Sequence, residues 1–398
     1  MSNIFNHERP ILVTCPKGMP PFLAQELTAL GCDRIQELAA GVSTAGTLQD
    51  CMRLNLHLRI GHRVLFELDS FRVNTPEELY KTIKNFPWEE FIPSDGYVSI
   101  ASSVDNGRIR DSRYANLKVK DAIVDRFMDK FGHRPDSGPL KQGVQIFLYW
   151  QDDYAAIYID TSGSPLPKRG YRKMPHKAPM QETLVAACLR AAEYTGGGNI
   201  ITPMCGSGTF AIEAALIACN RAPGLLRSSF GFQEILGFNT QEEYWQKLRK
   251  EASSQSVKNF RGKIIATDHD PEAITAAKQN ALTAGVDHLI EFSVCDFAET
   301  EIPASIEGEK NLVILNPEYG ERLGESEQLA ETYKSIGDFF KQSCGGYMGY
   351  IFTGNMKLAK RVGLRTSRRV PFYNAKIECR LLQYELYSGS KKASRQNS

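Results

Sequence analysis

The chain has 398 residues, 42% hydrophobic and 24% charged, with a formal net charge of +2. That length exceeds one ordinary core and implies two or three domains. The near-neutral balance excludes a polyelectrolyte, so any nucleic-acid contact must come from local patches, and no apolar run reaches the roughly 18 residues a membrane span needs.

The opening "MSNIFNHERP" lacks an apolar signal core. "RPILVTCPKG" reads as a strand, and "PPFLAQELTALG" as a helix ending at Gly31. "HRVLFELDSF" and "GYVSIASSV" read as strands around the helix "TPEELYKTIKNF", with Thr75 as N-cap, Pro76 in the first turn and Glu78 three residues on. "SRYANLKVKDAIVDRFMDKFG" is an amphipathic helix whose stripe runs through Ile123, Phe127 and Phe131, widened by Val124 and Met128. "GVQIFLYWQDDYAAIYID" is a hairpin around a polar "QDD". Short mixed units of this kind predict an α+β region over 1–160.

"TSGSPLPKRGYRKMPHKAP" follows, with several prolines, five basic residues and no acid. It reads as a linker over 161–179. From Met180 helices and strands alternate: "QETLVAACLRAAEY", "GNIITPM", "TFAIEAALIA", "GKIIATDHD", "PEAITAAKQNALTAG", "IEFSVCDF", "NLVILNP", "YMGYIFTG", then a closing pair from "RRVPFY" and "AKIECRLLQYELY". Alternation predicts an α/β domain over 180–387, a parallel sheet with helices on both faces. The tail 388–398, "SGSKKASRQNS", is polar and basic and reads as disordered. The nine cysteines are scattered without a C-x-x-C pair, and the seven histidines lack ligand spacing. Both point to reduced thiols in a cytoplasm, with no metal site.

Ligands of doubly wound sheets bind beyond the carboxyl ends of the strands. Here the first strand ends in "TPMCGSGTF", where Gly206 and Gly208 flank Ser207 before a helix; such glycines admit a ligand or simply make a turn. The second ends in Asp268, suited to two ribose hydroxyls, with Asp270 as the next helix's N-cap. The third ends in Asp296, an acceptor for an adenine amine or an ordinary turn acid, and the fourth in "NPEYG". Four successive strand ends with nucleoside-compatible groups make a coherent set.

These strand ends resemble a class I S-adenosylmethionine (SAM)-dependent methyltransferase acting on exocyclic amines. More narrowly, "IDTSGSPLPKRGYRK", "APMQETLVAA", "PMCGSGTFAIEAALIA", "RAPGLLRSSFGF" and "NPEYGERLGE" resemble the THUMP-domain RNA guanine-N2 methyltransferases, especially the N-terminal methylase part of the bacterial 23S rRNA enzymes. The likeness spans about residues 5–387. It implies a Rossmann-like methyltransferase domain preceded by a ferredoxin-like and THUMP RNA-binding region. It also implies SAM as cofactor, RNA as partner (23S rRNA, or tRNA as the alternative), and SAM contacts from Pro203, Cys205, Gly206, Ser207, Gly208, Asp268, Asp296 and Asn316. Cys205 reads as a small packing residue rather than a nucleophile. A basic face for RNA would use Arg108, Arg110, Arg113, Lys118 and Lys120, extended by Lys168, Arg169, Arg172 and Lys173 and by the late "KRVGLRTSRR". The same charges would also suit a solvated helix, linker and loop.

For the chemistry, a guanine 2-amino group has its lone pair delocalised into the ring. Two acceptors that hold its N–H groups favour a pyramidal nitrogen. The Asn316 side chain and the Pro317 carbonyl supply them, and Tyr319 offers a face to the flipped base. The chain departs from the family pattern twice: Thr202 stands where Asp usually precedes the loop proline, and Glu318 where Pro is usual. Two departures raise a second reading, a SAM- and RNA-binding relative with impaired catalysis. They also raise a compensating exchange between neighbouring strands. At about 4 Å and an effective dielectric near 20, the Glu318 carboxylate would contribute roughly 4 kcal/mol. Near sulfur it would slow the reaction, near the amine speed it, and in solvent do little.

Overall fold

The computed structural model describes residues 2–107, 109, 111–140, 142–174, 179–319 and 326–387. Two compact units result, and neither is a single stretch of chain. The first comprises residues 1–16, 23–167 and 223–254; the second comprises 17–22, 168–222 and 255–398.

The first unit holds an eight-stranded sheet, β1 (Arg9–Thr14), β2 (Gln36–Leu38), β3 (Gly41–Gly46), β4 (Arg63–Arg72), β5 (Tyr97–Asp105), β6 (Asp136–Ser137), β7 (Val144–Gln151) and β8 (Tyr154–Asp160). Its order is β2-β3-β1-β4-β8-β7-β5-β6. The expected hairpin is β7–β8, closed through Asp152 at φ 51°. The helices of this part of the chain are α1 (Pro20–Ala29), α2 (Leu48–His57), α3 (Pro76–Asn85) and α4 (Ser112–Phe131). Thr75 caps α3 as its sequence predicts, accepting from the Glu78 amide at 3.2 Å. The α4 stripe is shorter than its periodicity predicts: Ile123, Val124 and Phe127 are buried, while Met128 and Phe131 are exposed. There the Lys130 ammonium lies over the Phe131 ring and shields its face.

Residues 223–254 form a return excursion into this first unit, ending in α7 (Glu242–Ser254). Arg227 anchors it, donating to the carbonyls of Ser162, Ser164 and Pro165 at 2.7–3.0 Å. Phe230, Phe232 and Trp245 stack behind it. The stretch after Asp160 is therefore no free linker. Thr161 and Ser162 are fully buried, bonded to Asn55 at 2.8 and 2.6 Å.

The second unit is a seven-stranded sheet: β9 (Ile200–Pro203), β10 (Ile264–Asp268), β11 (Ile290–Val294), β12 (Leu312–Leu315), β13 (Met348–Thr353), β14 (Arg368–Asn374) and β15 (Ile377–Glu385). The order is β11-β10-β9-β12-β13-β15-β14; the first five strands are parallel, β15 runs antiparallel to β13, and β14 antiparallel to β15. Helices α5 (Glu182–Ala191), α6 (Thr209–Ala218), α8 (Pro271–Ala284) and α9 (Ser326–Gln342) complete the alternation. β9, β10 and β12 are buried along their whole length, as expected of strands covered on both faces. After β11 the chain crosses to the other side of β9, so the switch point lies between β9 and β12. The "PMCGSG" turn and Asn316 follow these two adjacent strands.

All nine cysteines carry free thiols. Among the described residues, no helix is long and apolar enough to cross a membrane and no His, Cys, Asp and Glu group could hold a metal ion.

Candidate active site

The turn after β9 is strained. Met204, Gly206 and Gly208 all adopt positive φ, at 56°, 54° and 81°, and for methionine that conformation is costly. Backbone bonds hold the turn. The Cys205 amide donates to the Thr267 carbonyl at 3.0 Å, and the Gly206 amide to Asp268 Oδ2 at 2.9 Å. The two glycines differ in purpose. A Cβ on Gly208 would meet Ala277 at 2.9 Å, so Gly208 lets α6 pack on α8, whereas nothing lies within 4 Å of a Cβ on Gly206. Gly206 thus leaves open space on the ligand side of the turn, which fits the approach of a nucleoside cofactor. Burial pushes the Cys205 thiol well up, so the sulfur stays protonated.

Asp268 is buried and also accepts from the Asp270 amide at 3.0 Å; its carboxylate keeps further lone pairs. Asp270 caps α8 as its sequence predicts. Asp296 is exposed and caps a single turn, accepting from the Ala298 amide at 2.9 Å.

At the end of β12 the Asn316 Oδ1 is shielded from solvent and has no hydrogen-bond partner among the described residues. An unsatisfied buried acceptor costs about 1–3 kcal/mol, so Oδ1 is available to a donor. Pro317 is buried and Glu318 exposed. The Tyr319 hydroxyl accepts from Asn374 Nδ2 at 3.0 Å and lies 3.8 Å from Cys379 Sγ. Burial pushes its pKa up to about 12. The ring is thereby pinned at its far end against the sheet.

Thr202 is buried in β9 and donates to the Ile265 carbonyl at 3.3 Å. Its hydroxyl serves the β9–β10 pair, while the Glu318 carboxylate lies in solvent. A shared compensating charge between the two positions is not what this geometry provides.

The stretch 168–174 corrects the expected basic surface. Arg169 is 1% exposed and pairs with the fully buried Glu213, which also accepts from the Tyr171 hydroxyl at 3.1 Å. Arg172 donates to Glu182 at 3.0 Å, Ser207 Oγ at 2.9 Å, Thr209 Oγ1 at 3.1 Å and the Met180 carbonyl at 2.9 Å. These two guanidiniums are committed to the interior and cannot reach a phosphate. Arg172 instead braces the glycine turn from behind. Asn280 completes the brace: its Nδ2 donates to the carbonyls of Met174 and Ser207, and its Oδ1 accepts from the Lys173 and Met174 amides. Sequence reading missed Asn280, although it occupies a buried position on the α8 stripe with Ala273, Ala277 and Ala284. A polar residue on that stripe was the available signal. The side chains of Lys168 and Lys173 are exposed.

On α4, Arg113 is exposed and paired with its own N-cap, Asp111. Lys118 lies over the Tyr114 ring at 5.6 Å, and Lys120 pairs with Asp121 at 2.8 Å. Arg108 and Arg110 lie outside the described residues, as do the end of "NPEYGERLGE" beyond Tyr319 and the tail 388–398.

Residues 169–383 match the family described as RMKL-like, methyltransferase domain; residues 10–65 match the RlmL ferredoxin-like domain and residues 73–160 the THUMP domain. The ribosomal RNA large subunit methyltransferase K/L of Syntrophotalea carbinolica is 37% identical over 379 residues, 94% of this chain and 53% of that protein. The chain thus spans about half the length of that relative. A Synechocystis protein, slr0064, provisionally named an RNA methyltransferase, is 34% identical and matches over 95% of this chain and 97% of its own length. Among solved structures, SMU.472, provisionally named a methyltransferase and crystallised with S-adenosylhomocysteine (SAH), superposes with a TM-score of 0.84 at 26% identity, covering 96% of this chain and 99% of that one.

Proposed function

We propose a reaction from one premise: this chain belongs to the RMKL-like methyltransferase family, with a ferredoxin-like and a THUMP domain ahead of the methyltransferase domain. It methylates the exocyclic N2 amine of a guanine in RNA; the K/L relatives are named for large-subunit ribosomal RNA, and 23S rRNA is the proposed substrate. The cofactor is SAM, which supplies a methyl group made electrophilic by its positive sulfur.

The residues divide the remaining work. Gly206 gives the cofactor room, and Asp268 holds the turn while keeping lone pairs for ribose hydroxyls. The second oxygen of Asp296 is the candidate for the adenine amine. Asn316 Oδ1 and the Pro317 carbonyl hold the two N–H groups of the target amine and later favour the positive charge that grows on nitrogen. Tyr319, fixed by Asn374, gives the base a ring in one orientation. THUMP residues bind RNA elsewhere on the chain, with Arg113, Lys118 and Lys120 as candidates.

The carrying observation is the buried Asn316 Oδ1, which has no hydrogen-bond partner among the described residues. The test is methyl transfer from labelled SAM into protein-free large-subunit rRNA, followed by nucleoside mass spectrometry. The expected product is N2-methylguanosine, and Asn316→Ala lowers the single-turnover rate by on the order of 100- to 1,000-fold. Glu318→Gln, at an exposed carboxylate screened by water, changes it less than about threefold. Label in any other nucleoside, or none, overturns the reading.

A further inference from the structure

The hairpin β14–β15 closes beside the proposed target-base site, and its mouth is unusual. Asn374 and Ile377 form the last cross-strand pair. Between them Ala375 takes a positive φ of 53°, where glycine or asparagine is the common choice. The strained turn is tied to the "NPEY" segment by a hydrogen bond and packs close to Gly354. Asn374 Nδ2 donates to the Tyr319 hydroxyl at 3.0 Å. Gly354, just after β13, is flanked by Ile377 and Tyr319 together: a Cβ there would meet Ile377 Cγ2 at 2.9 Å and Tyr319 Cδ2 at 3.0 Å. Yet Ile377 remains 52% exposed, and Lys376 beside it is exposed too.

So a β-branched apolar side chain stands half in water next to the pinned ring, on a hairpin whose position is fixed by hydrogen bonding and close packing. β-Branching leaves Ile377 few rotamers, so its direction is set by the strand. Drawing a guanine out of a stack leaves a gap between its two neighbours, and an apolar side chain inserted there offsets part of the unstacking cost. We propose that Ile377 is the wedge that enters the RNA stack where the target guanine leaves it, with Lys376 placed for an adjacent phosphate. The proposal rests on the methyl-transfer reading above and adds to it the residue that replaces the flipped base.

The wedge makes a demand that simple packing does not. Its contribution is large when the target is paired and stacked, and small when the base is already free. Two short RNAs carry the guanine that the unaltered protein methylates, one with it paired to cytosine and one with it opposite an abasic site. Ile377→Ala is expected to lower kcat/KM on the paired RNA by on the order of tenfold, with a loss several-fold smaller on the unpaired RNA. Ile377→Leu restores most of the paired-substrate rate. SAH affinity and melting temperature report that both variants are folded. Equal losses on the two RNAs, or no loss on the paired one, overturn the wedge. No label from the unaltered protein in large-subunit rRNA overturns the methyl-transfer reading itself, and the wedge with it.

Discussion

Residues 108–120 and 168–173 are both rich in arginine and lysine and nearly free of acids, yet the fold treats their charges in different ways. In the first run Arg113 is exposed and pairs with its own cap, while Lys118, laid over Tyr114, and Lys120, paired with Asp121, are half-buried with no buried carboxylate among their described partners. In the 168–173 strap the arginines turn inward to Glu213 and Glu182, and the lysines turn outward. The difference follows from side-chain chemistry. A guanidinium can satisfy its donors in a fork around one buried carboxylate, two hydroxyls and a carbonyl, as Arg172 does; an ammonium holds its water more tightly. A basic run is therefore a poor predictor of an RNA surface when arginine and lysine are counted together.

The largest expected effect breaks the strap. Arg172→Ala leaves Glu182 buried without its partner, which costs about 3–5 kcal/mol of stability, and frees Ser207 and Thr209 at the glycine turn. Weaker SAH binding by calorimetry and a lower melting temperature are both expected; Arg172→Lys restores neither fully, because one ammonium cannot span four acceptors. The pH dependence has a definite sign. Burial raises the Glu182 carboxyl above its usual 4.5, and Arg172 pulls it back. Without Arg172 the folded-state value climbs further. From pH 4.5 upward the unfolded chain has then lost this proton while the folded variant keeps it, so stability falls until its own pKa is passed. The melting-temperature gap to the unaltered protein should widen from pH 5 to pH 8. A constant gap would show that Glu182 does not feel Arg172.

The surface stretch should respond in the opposite manner. Changing Arg113, Lys118 and Lys120 together to glutamine should leave the melting temperature nearly unmoved. RNA affinity at physiological salt should fall roughly tenfold, and the slope of log affinity against log salt should lessen by about 2, near 0.7 for each lost phosphate contact to single strands. An unchanged slope would remove α4 from the RNA surface.

Much of the methyltransferase unit was legible because its elements are local. α6 begins and ends where "TFAIEAALIA" does, and β9, β10 and β12 are the three apolar runs that precede the site residues. Asp270 was readable as a cap, and Asn316 as the polar residue that closes β12, since residue type and strand end sufficed. What escaped was non-local. Nothing in "RAPGLLRSSFGF" announces that residues 223–254 fold into the first unit, because Arg227 finds carbonyls more than sixty residues away. Arg169 and Arg172 looked solvated because their carboxylates, Glu213 and Glu182, lie outside the run. Ile377 looked like any strand residue until Tyr319 and Gly354 were placed beside it.

The smallest effect is the most discriminating within the strap. Lys173 joins both behaviours in one residue: its amide donates to Asn280 Oδ1 at 2.9 Å, while its side chain is exposed. Lys173→Gln removes the charge and keeps the amide. If the strap's contribution to the glycine turn, the proposed cofactor site, runs through backbone and arginine alone, SAH affinity and melting temperature should stay within error. If the exposed ammonium also meets RNA, the salt slope should lessen by about 0.7 and no more. A loss of SAH binding in Lys173→Gln would mean that the lysine side chain itself supports the turn, and the division into inward arginines and outward lysines would not hold for this segment.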